Sequence, residues 1–286
     1  MRAKIAIKWL IDPYIQKQRK IVKAGDIMLP PQHILRVWKR FDTFPMERLT
    51  KLWIYNQGRQ KKQRDVSEMK EHRNRYGITG NCFDLAIWLL DEFNRESITA
   101  YPIGNHLFTE KAHAAVVALD EAGNRYLCDL GDQWISPILI DKKTEDYTET
   151  KLSGFFPGAQ IQVIPNGHHT EIRYHRPNGK ISTQTYNTKP LDLDSFLRAA
   201  EHSQNLINPK PLLECRIPYK NEIAHWEFNN WESFLSTSEG LLIEPKKTSM
   251  EEWAIKINDV TGYDEDFLME VLEQYSRLSK LHFDVK

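Results

Sequence analysis

The sequence has few cysteines, and their spacing excludes two common roles. Its 286 residues include three cysteines, Cys82, Cys128 and Cys215, which are scattered and form no Cys-x-x-Cys pair. Three isolated cysteines cannot build a disulfide framework, and the missing pair excludes a cysteine-based zinc motif. This cysteine usage is typical of a reducing compartment, so we expect a cytoplasmic protein.

The sequence also has no excess of either charge and no long apolar run. Its 39 Lys and Arg residues balance 39 Asp and Glu residues, so no general attraction to nucleic acid or to an anionic membrane is expected. The densest basic run, Arg59 to Arg64, is interpreted as a solvated helix face or loop, with a phosphate or nucleotide contact as the lesser alternative. No stretch approaches the roughly 18 apolar residues of a membrane span. The segment Met1 to Leu10 is too short and too charged for a signal-peptide core. We therefore expect neither a nucleic acid nor a membrane as a partner.

The first part of the chain has helical patterns. Apolar positions predict one helix over His33 to Phe44 and a second from Pro45 through Tyr55, with Pro45 in the first turn. The polar residues 56–76 that follow are expected to form a mobile or surface segment.

From about residue 97 the pattern changes to short strands joined by turns, and after residue 191 it is mixed. Strands are predicted at Ile98 to Ile103, His113 to Leu119, Arg125 to Leu130, Thr170 to His175 and Lys180 to Tyr186. Residues 120–124 and 176–179 contain glycine and predict hairpin turns, whereas residues 141–158 are a long polar insertion. Later helices are predicted at Leu193 to Ala200, Met250 to Ile257 and Asp264 to Leu278, with strands at Leu212 to Ile217 and Gly240 to Ile243. This order favours an α+β protein.

Cys82 is placed at the start of a buried helix. It follows the segment 77–81 and precedes residues 83–90, which are apolar apart from Asp84. Asn81 is a good N-cap residue, and Asp84 suits the first turn. A cysteine attacks only as the thiolate, and the positive potential of a helix N-terminus favours that form. Gly80 would let the backbone turn sharply before it.

His113 and Asp129 lie on two strands that are predicted to pair. If Ala118 lies opposite Tyr126, Asp129 becomes a diagonal neighbour of His113 on the same face, within reach of their side chains. A shift by one residue would place the two side chains on opposite faces. A carboxylate in this position would orient the imidazole and stabilise its charged form.

Each of these residues also has a structural interpretation. A cysteine that opens an apolar helix is often a small core residue, a histidine at a strand start is often an edge group, and Asp129 could accept turn hydrogen bonds. His168, His169 and His175 lack a further ligand set, so we expect no metal site. Cys128 is expected to pack in the core. The aromatic segment 224–231 is interpreted as core packing or, less favoured, as a wall of an active-site cleft.

Three stretches of the sequence resemble the arylamine N-acetyltransferases, within the wider group of transglutaminase-like and papain-like cysteine enzymes. The segment Phe44-Pro-Met-Glu-Arg-Leu49 is similar to the family's Pro-Phe-Glu-Asn-Leu segment. Gly80-Asn-Cys-Phe-Asp84 is similar to its nucleophile motif Arg-Gly-Gly-x-Cys-[Phe/Tyr]-Glu. Tyr126-Leu-Cys-Asp-Leu-Gly131, with the strand of His113, resembles its His and Asp strands, and Ile135-Ser-Pro137 continues the likeness.

This resemblance implies a fold, a site and a reaction. The implied fold has an N-terminal helical bundle carrying the nucleophile (1–96), a central antiparallel β-barrel carrying His and Asp (97–190) and a C-terminal α/β lid (191–286). Cys82, His113 and Asp129 take the triad roles. The thiolate would accept an acetyl group from acetyl-CoA, which is a substrate and not a permanently bound cofactor, and an amine would then attack the thioester.

The sequence departs from the family at two places and leaves alternatives open. Ile78-Thr79-Gly80 replaces the family's Arg-Gly-Gly, and Asp132 follows Gly131 where the family usually has Phe. That aromatic residue would line the amine pocket, and no coenzyme A signature or Gly-rich phosphate loop is found. A transglutaminase-like protease or deamidase, and a non-catalytic binding module on the same fold, remain as alternatives. The oligomeric state and the acceptor remain open.

Overall fold

Seven α-helices occur in the computed structural model, which describes residues 30–280. The predicted character of residues 1–10 therefore lies outside the described residues. The helices are α1 (Gln32–Trp38, followed by a 3₁₀ turn at Lys39–Phe41), α2 (Leu49–Asn56), α3 (Val66–Tyr76), α4 (Cys82–Arg95), α5 (Leu193–Asn205), α6 (Met250–Thr261) and α7 (Glu265–Ser279). None of them, within this range, combines the length and the apolar character that crossing a membrane requires.

Thirteen strands pair in three antiparallel sheets within the same residues. The strands are β1 (Met46–Glu47), β2 (Ala100–Asn105), β3 (His113–Leu119), β4 (Arg125–Cys128), β5 (Ile138–Leu139), β6 (Leu152–Phe156), β7 (Ala159–Asn166), β8 (His169–His175), β9 (Ile181–Asn187), β10 (Leu212–Tyr219), β11 (Glu222–Asn229), β12 (Glu232–Thr237) and β13 (Gly240–Ile243). Two sheets follow chain order, β2 to β5 and β6 to β9. The third has the order β1-β10-β11-β12-β13. The predicted α+β class is confirmed.

The central strands do not pair as one closed barrel. Within residues 30–280 they form two four-stranded sheets without strand pairing between them, although the Asn105 side chain on β2 accepts from the Asn187 N–H on β9 at 3.2 Å. The predicted polar insertion 141–158 connects the two sheets, and its residues 152–156 form β6, a strand that was not predicted. The structure therefore has two antiparallel sheets in place of the single closed barrel that the resemblance implies.

One sequence prediction in the N-terminal part is wrong, and another is incomplete. Pro45 does not open a helix, because residues 46–47 pair with β10, and the helix begins only at Leu49. Glu47 directs this start, since its carboxylate accepts hydrogen bonds from the N–H and the hydroxyl of Thr50 at 2.8 and 2.6 Å. The polar segment 56–76 lies largely at the surface, as one of the two predicted alternatives has it, but it also contains helix α3, which Asp65 caps by accepting from the Glu68 N–H.

Two hydrophobic cores hold the elements together. The first joins α1, α4 and α5 to both central sheets, and α4 packs directly on β3. The second joins Leu49, Leu52 and Ile78 to the C-terminal sheet and to α6 and α7. Trp226, in the predicted aromatic segment, is buried in this second core. The strand β1 thus ties the N-terminal part of the chain to the C-terminal sheet, and the division at residues 96 and 190 stays a prediction.

The C-terminal end of α3 rests against the loop between α6 and α7. Both α3 and α6 end on a glycine in the left-handed conformation, Gly77 at φ +74° and Gly262 at φ +71°. A Cβ on Gly77 would lie 2.8 Å from the carbonyl oxygen of Gly262, whereas a Cβ on Gly262 would meet nothing within 4 Å. The two glycines therefore share their backbone requirement but differ in the space around them.

We expect Gly77→Ala to destabilise the protein more than Gly262→Ala. Both substitutions incur left-handed strain of about 1–2 kcal/mol. Only Gly77→Ala adds a backbone collision, which should cost a further ~1–3 kcal/mol. Urea unfolding of both variants beside the wild type measures the difference. Equal losses of unfolding free energy in the two variants would show that the close contact between Gly77 and Gly262 adds no steric cost.

Candidate functional site

Cys82 is the first residue of α4, as predicted from the sequence. The Asn81 side chain accepts from the N–H groups of Phe83 and Asp84 at 2.9 and 3.2 Å. The Asp84 carboxylate accepts in return from the Asn81 N–H at 3.1 Å, which completes a capping box. The box fixes the first turn, so the Cys82 side chain is held at the positive end of the helix.

Gly80 gives the chain the sharp turn that leads into α4. Its φ of +151° is unfavourable for any other residue, and a Cβ there would collide with the Asp84 carboxylate. The Gly80 carbonyl oxygen accepts from the Glu47 N–H at 2.9 Å, which joins the loop to β1. Two of the stretches that carry the family resemblance are therefore in direct contact.

A buried polar cluster surrounds Asp84. Its carboxylate accepts from the side-chain amides of Gln63 at 2.9 Å and Gln204 at 3.1 Å, and Arg64 lies 3.5 Å away. The Arg64 guanidinium also donates to the Thr79 carbonyl oxygen. The expectation of a solvated basic run is therefore wrong for Arg64, which is 2% exposed. Arg64 places a guanidinium beside the nucleophile loop, although the family's Arg before the two glycines is missing here.

His113 and Asp129 meet in the way the predicted register requires. Ala118 pairs with Tyr126 across β3 and β4. In this register, His113 Nε2 lies 2.6 Å from Asp129 Oδ2. Asp129 is fully buried, and its other oxygen accepts from the Asp132 N–H at 3.0 Å. Cys128, the neighbour of Asp129, is buried in the core, as predicted.

All three predicted site residues converge on Gly131. A Cβ on Gly131 would lie 2.7 Å from Cys82 Cβ, 3.0 Å from His113 Cε1 and 3.2 Å from Asp129 Oδ1. The close approach requires a residue without a side chain at this position. Cys82 and His113, which are 31 residues apart in sequence, therefore face each other across one glycine.

The surroundings of His113 favour its charged form. Burial alone would lower the pKa of the imidazole, but the charges of Asp129 and Asp132 and hydrogen bonds to Asp129 and Cys82 outweigh it. The net effect raises the pKa of His113 well above its ordinary value of 6.5. Since Nε2 is engaged by Asp129, Nδ1 is the ring nitrogen left for the Cys82 thiol. An imidazolium in this position favours a thiolate.

Sequence reasoning missed two tyrosines and underrated Asp132. The Tyr186 hydroxyl lies 2.8 Å from Asp129 Oδ2 and 3.2 Å from Asp132 Oδ2, and the Tyr174 hydroxyl is 3.3 Å from Asp132 Oδ2. Burial, together with the two carboxylates, raises the pKa of Tyr186 well above its ordinary value. Burial and the charge of Asp129 raise the pKa of Asp132. The only signal in the sequence was the replacement of the family's Phe by Asp132.

Two cavities meet at the site. One, of about 410 Å³, is lined by Cys82 and His113 and by the basic side chains of Arg48 and Lys51. Burial and the charge of Arg48 lower the pKa of Lys51 to about 8. The other cavity, of about 610 Å³, lies between the sheets of β6 to β9 and β10 to β13. Asp132 and Glu214 line both cavities.

Two groups of side chains in residues 30–280 are close enough to share a cation. They are His113, Asp129 and Asp132, and Glu214, His225 and Glu227. His168, His169 and His175, the histidines that were considered in the sequence, belong to neither group. The first group is the proposed triad region itself, where the imidazole is already bonded to a carboxylate.

Replacing the orienting carboxylate should change the titration of His113. In Asp129→Asn the main charge that raises the pKa of His113 is lost, so its NMR titration midpoint should fall by at least about one unit. Because the folded pKa exceeds 6.5, the linked stability of the wild type is present below pH 6.5 and is lost as the pH rises through the folded pKa. That pH-dependent loss should shrink in the variant. Asp194→Asn, at an exposed aspartate, is the control. An unchanged midpoint in Asp129→Asn would exclude Asp129 as the group that charges His113.

Comparison with known proteins finds relatives by structure but not by sequence. No protein-family model matches the chain, and no curated protein matches it. The arylamine N-acetyltransferase of M. tuberculosis superposes with a TM-score of 0.67 at 12% identity, over 96% of this chain and 100% of that chain. The enzyme from Salmonella typhimurium gives 0.64 at 11% identity, over 92% and 97%. The Mycobacterium marinum enzyme in complex with CoA gives 0.63 at 10% identity, over 87% and 92%. The resemblance in the sequence is thus confirmed at the level of the fold: the chain has the fold of the arylamine N-acetyltransferases.

Proposed function

We propose that this protein is an acyltransferase that takes an acetyl group from acetyl-CoA onto Cys82 and passes it to an amine. The observation that carries the proposal is the convergence of Cys82 and the bonded pair His113–Asp129 on Gly131. A helix N-terminus and an imidazole with a raised pKa both favour a thiolate at Cys82. Superposition on acetyltransferases over nearly the whole chain supports the same reaction class.

The first half-reaction would form a thioester on the protein. The Cys82 thiolate attacks the carbonyl carbon of acetyl-CoA, and the carbon–sulfur bond to coenzyme A breaks. His113, as imidazolium, gives its proton to the departing coenzyme A thiolate. The Cys82 N–H, in the first turn of α4, would donate to the developing oxyanion, because the Asn81 side chain already accepts from the next two N–H groups.

The second half-reaction would return the protein to its starting state. A neutral amine attacks the acetyl carbonyl on Cys82, and neutral His113 accepts the proton that the amine loses. The bond to the Cys82 sulfur breaks, which leaves the thiolate beside the imidazolium. Asp129 keeps the imidazole ring in one orientation through both steps.

Two cationic side chains in the cavity that contains Cys82 suit the acyl donor. Arg48 and Lys51 line the space that contains Cys82, and cationic side chains bind phosphate groups such as those of coenzyme A. One structurally similar protein, the M. marinum enzyme, was solved in complex with CoA. In this proposal acetyl-CoA is a substrate, and no permanently bound cofactor takes part. Residues 1–96 would supply the nucleophile, 97–190 the His and Asp, and 191–286 the covering lid of a cytoplasmic enzyme.

Brief incubation with acetyl-CoA should add one acetyl group to the wild type and none to Cys82→Ala. Intact-mass spectrometry measures the adduct. Cys128→Ala is the matched control and should still be acetylated, because burial raises the pKa of Cys128 and keeps it a thiol. Circular dichroism of Cys82→Ala checks that the fold is kept. Acetylation of Cys82→Ala at the wild-type rate would contradict the proposal.

The same experiment separates the alternative functions. If acetyl-CoA gives no adduct but p-nitrophenyl acetate acetylates Cys82, the thiolate is competent and the natural donor is another acyl compound, such as a peptide. If neither reagent reacts and iodoacetamide alkylates Cys82 slowly at neutral pH, the chain is a non-catalytic member of the fold.

A further inference from the structure

The cavity of about 610 Å³ has a wall of acidic side chains on strands β10 and β11. Glu214 lies directly opposite Glu227 in the strand pairing, and His225 is two residues from Glu227 on the same face of the sheet. His225 Nε2 lies 3.7 Å from the Glu227 carboxylate, and all three side chains line the cavity. Two carboxylates directly opposite each other repel, so this arrangement favours a positive charge between them.

The imidazole of His225 points to a ligand as well. Its side chain is buried, with 9% of the residue exposed, and it borders the cavity. In the part of the chain that the structure describes, its Nδ1 is buried without a hydrogen-bond partner. An unsatisfied buried nitrogen is costly and rare, and a polar group of a bound molecule would satisfy it.

The electrostatic surroundings of Glu214 also favour a cation in the cavity. Burial raises the pKa of Glu214 to about 7, and the charges of Glu227 and Asp132 act in the same direction. His225 and Arg48 oppose this shift without cancelling it. A cation bound in the cavity would favour the ionised carboxylate.

The acidic cavity adjoins the space that contains the nucleophile. Asp132 and Glu214 line both cavities, so the two spaces share these carboxylates as a common boundary. The basic side chains Arg176 and Lys180, between β8 and β9, line the acidic cavity but not the one that contains Cys82. Within the acidic cavity, the carboxylates therefore lie on the side nearer to Cys82.

We infer that the 610 Å³ cavity is the acceptor subsite and binds an amine that carries a second, positively charged group. The inference rests on the proposed acyl transfer and names the substrate class. The reacting nitrogen is neutral and attacks the acetyl carbonyl on Cys82, whereas the separate cation lies between Glu214 and Glu227. The proton that the reacting nitrogen loses passes to His113, and the bond to the Cys82 sulfur breaks. The separate cationic group stays unchanged. Asp132, in place of the aromatic residue of the family, makes the entrance polar.

Three arylamines that differ in one substituent test this inference. They are 4-(aminomethyl)aniline, 4-(hydroxymethyl)aniline and 4-aminobenzoate, which carry a cation, a neutral polar group and an anion at neutral pH. The acetylated protein is prepared with p-nitrophenyl acetate and freed of donor, and its loss of acetyl is followed by mass spectrometry. Rates are normalised to the reaction of each amine with a small thioester in solution. We expect the cationic acceptor to react about tenfold faster than the neutral one, which corresponds to ~1.4 kcal/mol in activation free energy. The anionic acceptor should be the slowest.

Matched variants locate the preference. In Glu227→Gln the ratio of cationic to neutral acceptor should fall towards one, and in Glu232→Gln, an exposed glutamate of the same sheet, it should stay at the wild-type value. A wild-type ratio near one, or an unchanged ratio in Glu227→Gln, overturns the inference. Elemental analysis of protein purified without chelator gives a third test. One divalent metal per chain that disappears in Glu227→Gln would assign the cluster to a metal and also overturn it.

A binding experiment separates this inference from the proposed function. Calorimetry of 4-(aminomethyl)aniline and 4-(hydroxymethyl)aniline with Cys82→Ala needs no acetylation. If the wild type forms no acetyl adduct but the variant binds the cationic amine at least about tenfold more tightly, the proposed reaction fails and the cation subsite stands. Equal affinities overturn the subsite whether or not acetylation occurs.

Discussion

Burial of the Asp84 carboxylate at the start of α4 is the constraint on which the site depends. An ionised carboxylate away from water costs several kcal/mol unless it is paired and hydrogen-bonded. Asp84 meets that requirement with Gln63 and Arg64 on one side and Gln204 of α5 on the other. The position of Cys82 is therefore fixed by segments that lie far apart in sequence. Such a network adds little net stability, but it permits only one arrangement, because removing any partner leaves the buried carboxylate without full compensation.

Local signals made the core of the site predictable. The strand of His113 and its neighbour are short, mostly apolar runs joined by a glycine-bearing turn, and the register expected across that turn is the one observed. Asn81 and Asp84 lie within three residues of each other, so their capping box is visible in the sequence. These two signals, with the family resemblance, were sufficient to place Cys82, His113 and Asp129 together. The later helices and the two predicted hairpins also agree with the structure.

Features that depend on distant partners were not predictable. Helix α2 begins late because β1 pairs with a strand more than 160 residues away. Helix α3 has one buried residue, Met69, so its polar sequence gave no amphipathic pattern. Tyr186 reaches Asp129 only because two separate sheets contact each other, with β9 of one beside β2 of the other. The acidic wall likewise requires the pairing of β10 with β11, and nothing in the sequence linked Glu214 to Glu227.

The nucleophile loop is also tied to the last part of the chain. The Tyr263 hydroxyl lies 2.5 Å from the Thr79 hydroxyl and accepts from the Thr79 N–H, and the Asp264 N–H donates to the Tyr76 carbonyl oxygen. During synthesis on the ribosome, the segment before Cys82 emerges long before these partners exist. The loop lacks these hydrogen-bond partners until residues 263 and 264 have left the exit tunnel. A nascent chain therefore carries Cys82 on a loop whose position is not yet fixed, although the loop itself was synthesised more than 180 residues earlier.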